Sequence, residues 1–317
     1  MAPAVVGIGE AMVLLLAEQL GPLREVTTFR RHVAGAEANV AVGLCRLGLE
    51  AGFVSRTGDD ELGAAIRFRL RGEGVDTSRM IVDPEAPTGL VFREWREVGP
   101  VDVVYYRRGS AASRLSPDDL DENYLSGAKY VVLSGITPAL SESCKQTVFA
   151  AAEIARAAGV VVVVDPNIRL KLWSAEEARS VVRDLITHAD MVLAGSEEAE
   201  LLTGQCDPNR AAADLARLGP REVVIKLGAR GALAYGPQGT LEAPTSPVSR
   251  VIDPVGAGDA FAAGYLAGHL RGLDVASSLG LANRCGAYAM TLPADQECLP
   301  FWNDVAVPDT HGSDVRR

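Results

Sequence analysis

The chain has 317 residues, a length that fits a single large α/β domain carrying an accessory element. Hydrophobic residues make up 48% of the sequence and charged residues 23%, so we expect a packed core and exclude a mainly disordered chain. The 41 acidic residues outnumber the 31 basic ones, and the net charge of -10 argues against non-specific binding to nucleic acid or to an anionic membrane.

The five cysteines lie far apart and form no CxxC pair, which argues against both a disulfide framework and a zinc site. No basic segment precedes the first apolar residues, and no apolar run approaches the roughly 20 residues that a membrane-spanning helix needs. We therefore expect a cytoplasmic protein with reduced thiols that is neither secreted nor inserted in a membrane.

The first elements predicted along the chain are β-strands. Residues 5–6 lead into Gly7-Ile8-Gly9-Glu10, which we interpret as a strand followed by a turn beside the ligand site. Residues 89–95 and 101–107 are two further β-type runs, joined by a short Gly-Pro loop with no helix between them. They predict a small sheet that projects from the main body.

From residue 129 onward, apolar β-type runs alternate with stretches of helical length. The predicted strands and helices are, in order, 130–133, 142–157, 160–164, 175–186, 191–193 and 197–202. This alternation predicts βαβ units around a parallel sheet, because strands buried on both faces are continuously apolar. Residues 223–226, 232–235 and the turn 236–239 predict a strand that leads into a hairpin, so the late strands are antiparallel.

The most specific segment is glycine-rich. Gly256-Ala257-Gly258 precedes the helical stretch 260–266, and small residues there let successive backbone N–H groups face a phosphate at the positive end of the helix. Asp259 stands at the start of that helix, where its carboxylate can accept a proton from an attacking hydroxyl. The alternative is that Asp259 is only an N-cap and the glycines form only a turn.

Two separated motifs resemble those of a known family. Residues 253–261, DPVGAGDAF, are similar to the C-terminal motif of the ribokinase-like (PfkB) carbohydrate kinases, and residues 34–41, AGAEANVA, followed by Leu47-Gly48, resemble the N-terminal one. The likeness runs from about residue 7 to about residue 289. It implies one ribokinase-like domain over 1–317, a three-layer αβα fold with a mainly parallel sheet of about nine strands. A small β-sheet lid takes its strands from about 11–33 and 88–108.

Within that family the chain looks most like the 2-keto-3-deoxygluconate kinases. The similar segments are 105–113 (YYRRGSAAS), 133–140 (LSGITPAL) and 165–169 (DPNIR) with Leu172-Trp173. A sugar acid carries a carboxylate, and a guanidinium can bind a carboxylate through two parallel hydrogen bonds. The resemblance implies that the substrate contacts Gly35, Asn39, Tyr105, Arg107, Ile136, Arg169 and Asp259, with Asp259 as general base and Gly256, Ala257 and Gly258 completing the catalytic group.

The resemblance also implies that ATP and Mg²⁺ are the cofactors. The nucleotide-side residues that it implies are Glu198, Lys226, Gly228, Gly231, Gly256, Gly258 and Asn283, with Glu198 holding the metal indirectly through water. Two positions depart from the family pattern. Gly195 stands where the family's Asn-x-x-Glu segment has its Asn, and Val91 stands where the ketodeoxygluconate kinases have a Tyr.

Several readings stay open at the level of sequence. Arg107 could be a solvated charge on an edge strand instead of a substrate contact. Asn39 could be only a polar residue at a helix start, and Glu37 could be only a first-turn acid that the helix dipole favours. A neutral-sugar kinase of the fructokinase or ribokinase type, and a catalytically weak sugar-binding regulatory relative, are the alternative functions. We expect a homo-oligomer formed through the lid and a disordered tail from about residue 303 to 317.

Overall fold

The computed structural model describes residues 2–96, 101–293 and 295–306. Over these residues the chain forms 13 strands and ten α-helices. The strands are β1 Val5–Ile8, β2 Met12–Leu20, β3 Phe29–Ala34, β4 Ala51–Gly58, β5 Met80–Asp83, β6 Leu90–Trp95, β7 Val103–Tyr106, β8 Tyr130–Ser134, β9 Val161–Asp165, β10 Met191–Gly195, β11 Glu222–Lys226, β12 Ala232–Gly236 and β13 Gly239–Ala243. The helices are α1 Ala36–Arg46, α2 Glu61–Gly72, α3 Glu122–Ser126, α4 Glu142–Ala157, α5 Ala175–Ile186, α6 Ser196–Thr203, α7 Pro208–Ala216, α8 Ala257–Leu270, α9 Val275–Ala289 and α10 Trp302–Val305.

Nine strands form the main sheet in the order β13-β12-β11-β10-β9-β8-β1-β4-β5. Strands β11, β12 and β13 pair antiparallel, and the other neighbours pair parallel. The parallel strands therefore end at one edge of the sheet, and the loops that carry polar side chains leave from that edge.

Helices cover both faces of the main sheet. One hydrophobic cluster joins the sheet to α1, α2, α8 and α9, and a second joins it to α4, α5, α6 and α7. Burial on both faces explains why β8, β9 and β11 are nearly unbroken runs of Val, Ile and Leu.

The helix starts are fixed by local side chains. The hydroxyl of Ser141 accepts a hydrogen bond from the backbone N–H of Cys144 at the start of α4, and Asp60 does the same for Gly63 in α2. Such caps satisfy N–H groups that the first turn of a helix leaves without partners. The bounds predicted for α4 and α5 from the sequence are those of the structure.

Four further strands form a second sheet in the order β3-β2-β6-β7. Strands β2 and β6 pair parallel, while β3 and β7 pair antiparallel with their neighbours. One face of this sheet carries Met12, Leu14 and Val91 toward the carboxyl edge of the main sheet, so the small sheet lies over that edge as a lid.

The predicted fold class is confirmed: a mainly parallel nine-stranded sheet lies between two helical layers, and a small β-sheet covers one edge. The predicted antiparallel hairpin is confirmed as β12 and β13. No helix among the described residues is long and apolar enough to span a membrane. The segment expected to be a tail begins inside helix α10, and its residues 307–317 lie outside the described part of the chain.

Candidate active site

A cleft of about 710 Å³ lies between the lid and the carboxyl ends of the parallel strands. Most of the site residues predicted from the sequence line this cleft. They are Gly35, Asn39, Tyr105, Arg107, Ile136, Arg169, Glu198, Lys226, Gly256, Gly258 and Asp259. Segments separated by up to about 220 residues in sequence therefore meet at one site.

The glycine-rich segment forms the N-terminal end of α8. Gly256 is the N-cap residue, with φ at 81°, a backbone conformation that favours glycine. A Cβ at Gly256 would also lie 3.1 Å from the backbone oxygen of Asp295. Asp259 is in the first turn of α8 and is not its N-cap, so the simple capping alternative is wrong.

Asp259 is half-buried at the floor of the cleft. Its Oδ2 accepts a hydrogen bond of 2.8 Å from Nδ2 of Asn39, which α1 supplies from the other signature motif. Burial raises the pKa of Asp259 to about 7, and the charges of Asp165 and Asp295 add to the shift. A carboxyl group with this pKa can exchange a proton near neutral pH.

Arg107 lies at the base of the lid and is buried, so the reading of a solvated edge-strand charge is wrong. Its guanidinium forms an ion pair with Glu10, which also accepts a 3.0 Å hydrogen bond from the hydroxyl of Ser110. Burial raises the pKa of Glu10, and Arg107 and Ser110 oppose that shift. The guanidinium also stands over the ring of Tyr105, 5.4 Å from its centre.

Arg169 differs from Arg107 in its environment. It follows β9, it is exposed at the mouth of the cleft, and the described residues give it no ion-pair partner. The preceding Asn167 has φ at 38°, the one described residue other than glycine with a positive φ. Asparagine adopts this left-handed conformation more readily than most residues, and Asn167 turns the chain there two residues before Arg169.

Lys226 ends β11 beside the glycine-rich loop. Its Nζ donates a 2.7 Å hydrogen bond to Asp165, and it lies 3.7 Å from where a Cβ on Gly258 would stand. Burial lowers the pKa of Lys226, but the charges of Asp165 and Glu198 outweigh this effect and raise it. The side chain is therefore an ammonium ion next to the positive end of α8.

Glu198 joins the ends of two neighbouring strands. One carboxylate oxygen accepts a 2.9 Å hydrogen bond from the N–H of Ile168, after β9, and the other accepts a 2.7 Å bond from the N–H of Gly195, at the end of β10. Gly195, where the family pattern has Asn, lines the cleft with its backbone. Glu198 thus fixes the positions of these two loops through hydrogen bonds to their backbone, and only the remaining lone pairs of its carboxylate face the cleft.

Three residues expected on the nucleotide side do not line the cleft. Gly228 and Gly231 have φ at 60° and 97° in the turn after β11, where a Cβ at Gly231 would overlap the backbone oxygen of Ala243 at 2.1 Å. Asn283 on α9 is buried, and its amide donates 3.0 Å hydrogen bonds to the backbone oxygens of Ala243 and Pro244. Ala257 sits between two lining glycines and packs against the hydrophobic core.

The sequence reasoning missed several acidic and basic groups of the cleft. Glu37 is buried, accepts a 2.7 Å hydrogen bond from Thr137, and has its pKa raised by burial to about 7, so it is more than a helix-start acid. Arg93 and Asp295 also line the cleft. Arg93 interacts with Asp253 and Asp295, which lie more than 150 residues from it along the chain. No local sequence motif therefore predicts these contacts.

No cluster of three or more His, Cys, Asp or Glu side chains among the described residues could by itself hold a metal ion. The carboxylates of Asp165 and Glu198 nevertheless face the cleft beside Lys226. Two such groups fit a cation that keeps most of its water shell, which is the usual binding mode of Mg²⁺.

Comparison with known proteins agrees with this geometry. The family model described as pfkB family carbohydrate kinase matches residues 2–302. A 2-dehydro-3-deoxygluconokinase of Bacillus subtilis (strain 168) is 40% identical over 93% of this chain and 92% of its own length. A 5-dehydro-2-deoxygluconokinase of Shouchella clausii is 33% identical over 95% of this chain and 94% of its own length.

Among solved structures, a protein from E. coli described as a ribokinase II was determined in complex with ATP and Mg²⁺. It superposes with a TM-score of 0.89 at 29% identity, over 96% of this chain and 98% of its own. The family match and both relatives extend over more than nine tenths of the sequence. The chain therefore belongs to the pfkB family of carbohydrate kinases.

Proposed function

We propose that this sugar kinase transfers the γ-phosphoryl group of ATP to the terminal hydroxyl of 2-keto-3-deoxygluconate and forms its 6-phosphate. One observation carries the proposal: Asp259, a half-buried carboxyl group whose pKa is raised to about 7, stands in the first turn of α8 at the floor of the cleft. The name of the relative that is 40% identical supports this acceptor.

In the proposed reaction, Asp259 takes the proton of the acceptor hydroxyl as that oxygen forms a bond to the γ-phosphorus. The bond between the γ-phosphorus and its bridging oxygen breaks, and ADP leaves. The backbone N–H groups of residues 256–258, the positive end of α8 and the ammonium of Lys226 offset the negative charge of the transferred group.

The groups on this side of the cleft fit ATP and Mg²⁺. Gly256 and Gly258 leave the backbone at the start of α8 accessible, and Lys226 supplies a positive charge for phosphate oxygens. Asp165 and Glu198 would hold the hydrated metal, which neutralises phosphate charge when bound. Gly228, Gly231 and Asn283 would act indirectly, because they shape the turn and the strand end beside the nucleotide.

An acidic acceptor is supported by Arg169. Its guanidinium is exposed at the cleft and forms no ion pair within 4 Å among the described residues, so it can bind the carboxylate of a sugar acid. Asn39, Gly35, Tyr105 and Ile136 line the same space and would contact the rest of the acceptor.

A neutral acceptor is the second candidate, and two observations favour it. Glu10 already neutralises Arg107, which leaves one of the two expected arginines free for a substrate carboxylate. Val91 also places an apolar side chain where a tyrosine hydroxyl is expected.

A coupled assay of ADP release with Mg-ATP separates these functions. The acceptors are 2-keto-3-deoxygluconate, 2-keto-3-deoxygalactonate, 5-keto-2-deoxygluconate, fructose, ribose and adenosine. We expect the highest kcat/KM with 2-keto-3-deoxygluconate. A higher value with fructose or ribose would replace the proposal by a neutral-sugar kinase, and binding without turnover would identify a regulatory relative.

We also propose that two copies of the chain pair through the lid. The ring of Phe92 stacks edge to face on Phe29 and on Tyr106, with ring centres 5.3 and 5.8 Å apart, along one face of the lid sheet. Tyr106 is 64% exposed and Val104 lies beside it. Exposed aromatic rows on an open sheet are typical of surfaces that a partner covers.

A further inference from the structure

Arg93 is a buried arginine on the cleft-facing side of lid strand β6. One of its terminal nitrogens donates a 2.5 Å hydrogen bond to Oδ2 of Asp253, and the other lies 3.6 Å from Oδ1 of Asp295. Both acids belong to the main body, on either side of helices α8 and α9 in sequence. Arg93 therefore joins the lid to the body at the cleft.

Asp253 links Arg93 to the glycine-rich loop. While its Oδ2 accepts from Arg93, its Oδ1 accepts a 3.0 Å hydrogen bond from the N–H of Val255, the residue just before Gly256. A single carboxylate thus bonds the lid with one oxygen and the loop with the other. A shift of β6 changes the position of that carboxylate and, through it, the loop at the start of α8.

Asp295 approaches the same loop from the other side. Its backbone oxygen lies 3.1 Å from where a Cβ on Gly256 would stand. The second terminal nitrogen of Arg93 and Oδ1 of Asp295 are both buried, and neither has a hydrogen-bond partner among the described residues. At 3.6 Å they are a few tenths of an ångström beyond a hydrogen bond, so a small movement of the lid would complete one.

A buried ion pair of this kind adds little net stability, because removing both charges from water offsets most of their attraction. The ion pair of Arg93 with Asp253 instead favours one position of the lid relative to the body. Other polar contacts also join the lid to the body, namely His32 with Glu297 and Lys171 with the backbone oxygen of Val103. Arg93 differs from them because its partner Asp253 also accepts a hydrogen bond from the glycine-rich loop.

We propose that Arg93 is a positioning residue that couples the lid to the glycine-rich loop, so that acceptor bound under the lid and nucleotide bound at the loop strengthen each other's binding. The inference rests on the proposed function only in placing the nucleotide phosphates at residues 256–258. Coupling between two sites is reciprocal and typically changes affinity about 5- to 150-fold.

Calorimetry tests the coupling in the full-length chain. The dissociation constant of the preferred acceptor from the assay above is measured with and without Mg²⁺ and a non-hydrolysable ATP analogue. In the unmodified protein we expect the analogue to tighten acceptor binding at least about 5-fold, and in Arg93→Met we expect the ratio to fall to about 1 because the linkage is absent. Equal ratios in the two proteins, or a ratio of 1 in the unmodified protein, would overturn the proposal.

Arg96→Met is the matched control. Arg96 lies three residues further along the lid and forms its ion pair with Glu94 of the same segment, so its loss should leave the ratio unchanged. If Arg93→Met does not fold, Asp253→Asn replaces it, since the amide oxygen can still accept from Val255 while the charge pair with Arg93 is lost.

Hydrogen exchange separates this proposal from the proposed function. Adding the ATP analogue alone should slow exchange in Leu90–Trp95 of the unmodified protein but not of Arg93→Met. This readout needs no acceptor, so a wrong acceptor leaves it intact. Protection of the lid strand in both proteins would contradict the role of Arg93.

Discussion

Asp259 combines three features at one side chain: partial burial, a raised pKa and a hydrogen bond from Asn39. If it is the general base, Asp259→Asn should lower kcat by about 10²- to 10⁴-fold, because the acceptor hydroxyl loses its proton acceptor. Acceptor affinity should change little, since an amide of the same size fills the same space. Steady-state assays and calorimetry measure the two quantities separately.

Asp274→Asn is the control for that substitution. Asp274 caps α9 through a 2.7 Å hydrogen bond from the N–H of Ser277, and asparagine caps a helix about equally well. This variant should keep normal turnover. A kcat for Asp259→Asn within a few-fold of normal would remove Asp259 from the reaction.

The raised pKa of Asp259 also has a consequence for stability. The native state keeps this proton up to about pH 7, while the unfolded chain releases it near its usual value of 3.8. Between these values the native state binds more protons, so the free energy of unfolding falls as the pH rises. Asp259→Asn should therefore stabilise the protein by about 1 to 3 kcal/mol at pH 8, and by less at pH 5.

Asn39 can accommodate the new amide, because its Oδ1 is buried without a hydrogen-bond partner among the described residues and a flip would present it. Denaturant unfolding at pH 5 and pH 8 measures the difference. An equal gain at both values would show that the carboxylate charge is not the cause.

The two cleft arginines should respond differently to removal. Arg169→Ala should raise KM for a sugar acid about 10- to 100-fold with little change in stability, because an exposed, unpaired guanidinium is lost from the substrate. Arg107→Ala should instead lower the free energy of unfolding by about 3 to 5 kcal/mol, because Glu10 would be buried without its partner.

Arg108→Ala serves as the control, since Arg108 is exposed next to Arg107 and does not line the cleft. The double variant Arg107→Ala with Glu10→Gln should recover much of the lost stability. If Arg169→Ala raises KM equally for fructose, its guanidinium does not recognise a carboxylate.

At the scale of elements, Glu198 holds the loops after β9 and β10 in register through two backbone hydrogen bonds. Glu198→Ala should therefore raise KM for both Mg-ATP and the acceptor, about 10-fold each, because two loops lose a shared anchor. Glu200→Ala, on the exposed side of the same helix, should leave both unchanged. An effect confined to Mg-ATP would point instead to a direct role with the metal.

The elements that local sequence determines were predicted well. Residues adjacent in sequence form the N-caps of α4 and α5 and the unbroken apolar runs of β8 and β9. The positions of these elements therefore follow from the sequence. The ion pairs of Arg93 with Asp253 and of Arg107 with Glu10 join segments that only the folded chain brings together. Most of the site residues predicted from the sequence therefore meet at one cleft, whereas the charge pairing around each arginine could not be predicted from local sequence.

At the scale of the whole molecule, both the helices and the inner residues of the lid contribute to the core. Val13 and Val33 of the lid belong to the same hydrophobic cluster as α1, α2, α8 and α9. Helices on both faces bury the main sheet, whereas Tyr106 is exposed on the outer part of the lid and Phe29 and Phe92 are half-exposed beside it. A sheet with one solvated aromatic face loses apolar contact with water when a second copy covers it. The proposed dimer is thus a consequence of the lid's composition rather than of the core.

Light scattering combined with size-exclusion chromatography tests that proposal. The unmodified protein should elute as a dimer at micromolar concentration, and Tyr106→Glu should shift it toward the monomer because a charge would be buried in the interface. Phe68→Glu is the matched control: Phe68 is 82% exposed on α2, outside the lid sheet, and its replacement should leave the mass unchanged. A monomeric unmodified protein, or a dimer that persists in Tyr106→Glu, would show that the aromatic face of the lid does not join two copies.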